Sequence, residues 1–412
     1  MWLYIILYII LFIVIIFMLV MGYIKIRHRF WSKQPVFHYY NLWYWLRPPG
    51  IIQHAFPEAN EYVNIINVKI QEVGHLSETD NKKVANFIGN HYLRTKSTSY
   101  LPQNKHIMTY FLNSKHSSYI AIYKRPALLY ENEKYVTEQK HIVDDEYLGM
   151  ITARPLHVTL KNTPTFTIYY IDNLCVHHSQ RKKGIAQKLI QTLYYEIRRK
   201  NPLIDTYMFK REGEMTAIVP LITFTTKGYA INDIPDTQLP HAAYSLIEIT
   251  AKNLHIVIEF IYSQTKNYDC VIVPDVANIL TLIKSEIIDL RGIMYGSQLV
   301  ALYTFRDASV NYSISSKHSL QPTDNAIPNT IECIGSLVDV SHSDILLSGF
   351  ISALHVCCRK FKCSYVLIEE TSQNTHITDL LHAQPFLASP TAFFFYNYGC
   401  LPLQSSLTFL IY

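Results

Sequence analysis

Between Tyr170 and Ala186 the chain reads Ile171-Asp172-Asn173-Leu174-Cys175-Val176-His177-His178-Ser179-Gln180-Arg181-Lys182-Lys183-Gly184-Ile185. A largely apolar strand runs into a basic turn. A helix then opens at once, with Ile185, Leu189, Leu193 and Ile197 four residues apart and Ile190 on the same face. Cationic residues beside a helix start make an anion site. Free N–H groups point at the ligand, the helix dipole favours negative charge, and Gly184 lets a phosphate approach the main chain. A solvated corner has a similar composition, so the turn gains its weight from the strand before it.

The elements that must hold this turn follow from periodicity. Residues 62–73 alternate as a strand, 78–94 form an apolar-striped helix and 101–112 read as another helix. Strands are expected at 118–124, 147–153 and 166–176, then a helix to residue 199 and strands within 208–226. A second series starts near Ala230: a strand and helix over 246–261, a helix at 276–288, a hairpin at 290–305 around Tyr295-Gly296-Ser297 and a strand at 331–340. A helix at 343–362, a strand at 365–368, a short helix at 378–381 and strands at 393–396 and 407–411 complete it. The order helix–strand–strand–strand–helix is that of an α/β (α+β) module, and no repeat or low-complexity linker is visible.

The 412 residues suffice for two domains. The net charge of +5 is mild, and no long basic run alternates with aromatics, so nucleic-acid binding is not indicated. Residues 1–24 carry no charged side chain and are long enough to span a bilayer. A cleavable signal would need a basic start and a small-residue cleavage site, and neither is present. The expectation is one transmembrane anchor. Lys25, Arg27, Arg29 and Lys33 follow it and place the remainder on the cytoplasmic side. Residues 25–60 form an arm rich in Trp and Tyr, whose rings lie either at the membrane interface or on the domain. Seven cysteines in no regular framework suit a reducing compartment, and Cys357-Cys358 with Cys363 read as buried thiols. No metal is expected, and His177-His178 read as positional.

The segment Arg181-Lys182-Lys183-Gly184-Ile185-Ala186 fits the R/Q-x-x-G-x-G/A turn of the GNAT acyltransferase superfamily, which cradles the pyrophosphate of CoA. A longer match adds Leu148-Gly149-Met150-Ile151-Thr152-Ala153-Arg154-Pro155, Phe30-Trp31-Ser32-Lys33-Gln34-Pro35-Val36, Leu302-Tyr303-Thr304 and Phe394-Phe395-Tyr396-Asn397-Tyr398-Gly399-Cys400. In order and approximate spacing these segments, which cover most of residues 30–412, resemble the eukaryotic N-myristoyltransferases (glycylpeptide N-tetradecanoyltransferases).

The resemblance implies two tandem GNAT-like halves related by pseudo-twofold symmetry. Residues 1–24 would be the anchor and 25–60 the arm. Residues 61–229 would bind acyl-CoA and 230–412 the acceptor. It implies a transferase that moves a fatty acyl group, myristoyl by analogy, from acyl-CoA to the N-terminal glycine of a peptide or protein, with no permanently bound cofactor. CoA would be held by Arg29, Phe30, Trp31, Cys175, Val176, Arg181, Lys182, Lys183, Gly184, Ile185 and Ala186. A membrane-interface anchor is the competing role for Trp31. The main-chain N–H groups of Asn173 and Leu174 would form the oxyanion hole. Asp172 stands where the family has Asn, and would serve only if it faced the amine. The terminal carboxylate of Tyr412 would take the proton, and Tyr303 and Asp339 would contact the acceptor. The acceptor side departs most. The family's Y-N-V-H is Val338-Asp339-Val340-Ser341 here, and its G-D-G loop is Ser389-Pro390-Thr391. A GNAT-type enzyme with a short acyl donor and a non-catalytic, membrane-anchored binding protein are the alternative readings.

Overall fold

The computed structural model describes residues 2–92, 98–102, 104–124, 146–213, 217–312 and 330–412. Trp2–Arg27 is one helix with no buried residue, roughly 39 Å long at the usual helical rise. Its length and composition suffice to cross a membrane. The apolar helix Leu346–Phe361, part of the second such candidate (340–361), is instead a core helix that buries Phe350, Leu354 and Cys357.

Most expected elements are present. Phe166–Val176 is a strand and Ile185–Lys200 the helix after it. The 78–94 helix is Glu78–His91, capped by Ser77, whose hydroxyl accepts from the Asp80 N–H; Arg94 lies outside the described residues. Residues 101–112 hold two short helical pieces, Asn104–Met108 and Thr109–Phe111, rather than one helix. The strand expected at 147–153 runs on as Tyr147–Leu160 through Pro155. The strand Cys270–Val273 was not expected: four apolar residues show no period to read.

Fourteen of the described strands form one continuous sheet, and two small two-stranded sheets lie beside it. Within it the same arrangement occurs twice. Tyr147–Leu160 pairs antiparallel with Phe166–Val176, and after the helix Ile185–Lys200 the strand Tyr207–Glu212 lies parallel beside Phe166–Val176. Likewise Gln298–Asp307 pairs with Thr330–Val338, and after Leu346–Phe361 the strand Tyr365–Glu369 lies parallel beside Thr330–Val338. The next strand of each series crosses to the other. Ile222–Ala230 pairs with Tyr365–Glu369, Leu387–Tyr396 pairs with Tyr207–Glu212, and the two crossing strands pair with each other. The two series are therefore interlocked through the sheet near residue 230. Gly149 lets the first helix sit close, because a Cβ there would meet Ile185 and Leu189 at 3.0 Å.

In both series the parallel pairing ends early. It stops at Ile171 with Phe209 in the first and at Cys333 with Ile368 in the second. The second gap is closed by protein. Asn374, fully buried, donates through Nδ2 to Cys333 O (3.2 Å) and Glu369 O (2.8 Å), while Ser336 Oγ donates to its Oδ1 (2.6 Å). Thr371 Oγ1 donates to Ile334 O at 3.0 Å. Nothing equivalent closes the first gap among the described residues. Removing the plug should be costly: Asn374→Ala leaves two carbonyls and a hydroxyl unpaired, and urea unfolding should show a loss of about 2–4 kcal/mol. A change below 0.5 kcal/mol would contradict the role given to Asn374.

Candidate active site

Where the first pair of strands parts, Phe166–Val176 carries a bulge. Met150 faces Cys175 and Thr152 faces Asp172, so Asn173 and Leu174 share Ile151 and have no strand partner. Asn173 is in the left-handed region, φ 52°. Thr152 fixes the bulge: its hydroxyl donates to Asp172 O (3.0 Å) and accepts from Asn173 Nδ2 (3.1 Å). Asp172 Oδ1 accepts the Asn173 N–H at 2.7 Å and the Tyr92 hydroxyl at 3.2 Å. Of the two expected oxyanion donors, Asn173 is thus engaged by the neighbouring carboxylate, leaving Leu174 as the next donor along the bulge.

Asp172, Asn173 and Leu174 line a cavity of about 700 Å³. Its apolar part is formed by Trp31, Ile190, Leu193, Tyr194 and Phe209 among others. Trp31 stacks on Phe209 with centroids 5.6 Å apart, a contact inside the protein rather than at a membrane surface. Buried Phe30 packs edge-on against Trp31. Arg29 is exposed and pairs with Glu61 at 3.4 Å.

The basic turn lies at the end of the same strand. Lys182 and Gly184 both have positive φ, 65° and 77°, and Gly184 caps Ile185–Lys200 with no side-chain cap bond. The first turn of that helix therefore offers main-chain N–H groups. Arg181 Nη2 donates to His91 O at 3.1 Å, and the rings of His91, His177 and His178 pack together, tying the end of Glu78–His91 to the turn. Lys183 and Ile185 border a separate cleft of about 210 Å³ with Gln180, Tyr123 and Lys124. Arg181, Lys182 and Lys183 are exposed, Ala186 is half-buried and Ile185 is buried in the core. Cys175 packs among Val84, Ile88 and Met150, and burial pushes its thiol up to about 12. It offers only main chain to a ligand, and neither it nor half-buried Val176 lines the large cavity.

Two expected acceptor residues are displaced from the site. Tyr303 is fully buried on the helix-covered face, where its hydroxyl donates to Ile345 O and Leu346 O, so it does not line the cavity. Asp339 caps residues 340–345 by accepting the Ser341 N–H and hydroxyl, and it too lies off the cavity. The same strand as Tyr303 sends Arg306 to the cavity instead.

Arg306 belongs to a buried ionic cluster at the cavity wall that sequence reasoning missed. Its Nε and Nη2 lie 2.7 Å from Glu332 Oε2. Lys210 Nζ lies 2.6 Å from Glu369 Oε1 and 3.7 Å from Glu332 Oε1. Tyr412, 2% exposed, joins both: its hydroxyl donates to Glu369 (2.5 Å) and accepts from Arg306 (3.1 Å), and its main-chain oxygen accepts from Arg306 Nη1 (3.2 Å). Burial raises both carboxylates. At Glu369 it prevails over Lys210, whereas at Glu332 the charges of Arg306 and Lys210 outweigh it and hold the carboxyl below its usual range. Burial also lifts the phenols of Tyr92, Tyr110 and Tyr170, which remain neutral donors. The legible signal was a charge inside an apolar strand, as in Ile331-Glu332-Cys333 and Ile368-Glu369.

Comparisons with known proteins agree with this geometry. Residues 103–205, about a quarter of the chain, match the family described as Acetyltransferase (GNAT) family. No curated protein matches the chain. Saccharomyces cerevisiae N-myristoyltransferase with bound myristoyl-CoA superposes with a TM-score of 0.67 at 12% identity, covering 92% of this chain and 94% of that one. A second structure of the yeast enzyme with myristoyl-CoA gives 0.66 at 13% identity, over 92% and 90%. A third, with myristoyl-CoA and inhibitors, gives 0.66 at 13%, over 93% and 94%. The chain has the fold of these proteins.

The ionic cluster makes stability depend on pH in a defined direction. A carboxylate held low in the folded state stabilises above its unfolded pKa, and that contribution is lost as pH falls. Glu332→Gln should therefore cost about 3–5 kcal/mol near neutral pH. The gap to the natural protein should narrow as pH drops below about 4.3, the ordinary Glu value. Urea unfolding across pH measures this, and a gap that is constant with pH would contradict it.

Proposed function

We propose that this protein is an acyltransferase that moves a long-chain acyl group, myristoyl or one of similar length, from acyl-CoA to a primary amine. One observation carries the reading: the unpaired bulge at Asn173 and Leu174, with Asp172 beside it, lines a cavity with aromatic walls, and the same strand leads into a basic, glycine-capped helix start. The yeast structures with this fold hold myristoyl-CoA. A pyrophosphate suits the N–H groups and cations at residues 181–186. A cavity of about 700 Å³ exceeds what an acetyl group needs and lies in the range of sites that enclose sizeable ligands.

In this reading the Leu174 N–H polarises the thioester carbonyl and stabilises the charge that develops on its oxygen. Asp172 lies beside that donor on the cavity wall, faces the attacking amine and accepts its proton. The main-chain oxygen of Tyr412 is a poorer acceptor, because a bond from a guanidinium favours its charged form. The acceptor in the family would be an N-terminal glycine, and that assignment is carried here by analogy alone. The helix Trp2–Arg27 would hold the enzyme at a membrane with residues 25 onward on the cytoplasmic side. A single acyl chain binds bilayers only marginally, so release beside the membrane would favour capture of the product.

In thermal unfolding of the purified chain, myristoyl-CoA should stabilise clearly more than acetyl-CoA. Reversing the charges at Arg181, Lys182 and Lys183 should weaken binding about tenfold or more, an effect that salt reduces. Stabilisation by acetyl-CoA alone would favour a short donor, and none by either would remove the enzyme reading. Asp172→Asn should lower kcat roughly 100-fold while leaving the myristoyl-CoA shift in place. An unchanged kcat would exclude Asp172 as the proton acceptor.

A further inference from the structure

Arg154 is a buried cation of the cavity wall for which neither the donor cradle nor the ionic cluster accounts. It sits in Tyr147–Leu160 opposite Tyr170 and is 4% exposed. Its guanidinium lies between two rings, 4.8 Å from the centroid of Tyr110 and 5.0 Å from that of Tyr170. It lines the cavity, and its Nη1 has no hydrogen-bond partner.

The surrounding charges are committed elsewhere. Asp172, two residues beyond Tyr170, has its Oδ1 on the Asn173 N–H and the Tyr92 hydroxyl. Glu332 and Glu369 face Arg306, Lys210 and Tyr412. No ion pair among the described residues includes Arg154. A buried cation without a counter-ion is costly. The two rings offset part of that cost through their faces and leave the planar edge of the fork, which is the part that binds carboxylates in pairs of hydrogen bonds.

We infer that Arg154 binds a carboxylate carried by the amine acceptor, close to the nitrogen that is acylated. This rests on the acyltransferase reading above. The anion does not come from the donor, whose phosphates suit the exposed turn at residues 181–186 and whose acyl chain is uncharged. With Lys210 and Arg306 already paired, the planar fork of buried Arg154 matches one carboxylate. Two sources have this chemistry: the α-carboxylate of a free amino acid, and an acidic side chain near a peptide N-terminus. In the reaction the amine nitrogen bonds to the thioester carbon and the C–S bond breaks. CoA leaves as its thiol, the ammonium gives up two protons, one to Asp172 and one to the departing sulfur, and the carboxylate stays on Arg154 throughout.

The test measures CoA release from myristoyl-CoA by the full-length chain with four amines. Glycine is compared with glycinamide, and a C-terminally amidated peptide beginning Gly-Asp with its Gly-Asn counterpart. The natural protein should prefer the carboxylate member of at least one pair by about tenfold or more in kcat/KM, and which pair shows it identifies the source. Arg154→Met should abolish the preference, Arg154→Lys should restore only part of it, and both should keep the myristoyl-CoA thermal shift. Equal use of acid and amide, or a preference that survives Arg154→Met, overturns the inference while leaving the enzyme reading intact. Absence of any myristoyl-CoA binding by the natural protein brings down both.

Discussion

Two parallel strands that pair only as far as Ile171 and Phe209 leave the edges that face each other beyond them without a strand partner. A backbone N–H or carbonyl away from water needs a partner, and a gap in a sheet must find one in side chains, water or a ligand. The chain meets this requirement in two ways. At the second gap Asn374, Ser336 and Thr371 bond to one another and to the strand ends, and the sheet is sealed. At the first gap the strand bulges, Asp172 takes one N–H, and the space beyond is open. The position of the cavity follows from this difference.

What surrounds the open gap is unusual for an apolar pocket. Two cations and two carboxylates face each other at the wall, with Tyr412 between them. Lys210 comes from the first series of elements, whereas Arg306, Glu332 and Glu369 come from the second. The cluster therefore links the two series across the sheet at the point where the gap opens. Buried ion pairs of this kind add little net stability relative to apolar packing, but breaking one partner is costly. Arg154 with its two tyrosines stands apart from the cluster, a cation with no ion pair among the described residues.

Much of this was legible in the sequence because it is local. The periodicity of residues 185–197 gave the helix, and the largely apolar run before it gave the strand; Gly184 adopts the positive φ that glycine takes easily. The asymmetry between the gaps was not legible, since Asn374 bridges the Glu369 carbonyl near it to the Cys333 carbonyl 41 residues away in the chain. Tyr303 illustrates the limit of motif matching. Its strand was expected, but strand alternation sends Tyr303 to the helix-covered side and Arg306 to the cavity. The ionic cluster was missed for a related reason, because Lys210, Arg306, Glu332 and Glu369 sit on different strands and only the topology brings them together. Glu332 was nonetheless a charge embedded in an apolar run, and the other three each follow one directly.

The central claim is that the main-chain N–H of Leu174, at the bulge, is left for a thioester. The most direct measurement is a crystal structure of the chain with a non-hydrolysable ketone analogue of myristoyl-CoA. The account predicts the analogue's carbonyl oxygen at about 3 Å from the Leu174 nitrogen, its alkyl chain in the cavity beside Trp31 and Phe209, and its pyrophosphate at the Gly184 helix start. A ligand bound elsewhere, with the Leu174 N–H satisfied by protein and the cavity unchanged, would contradict it.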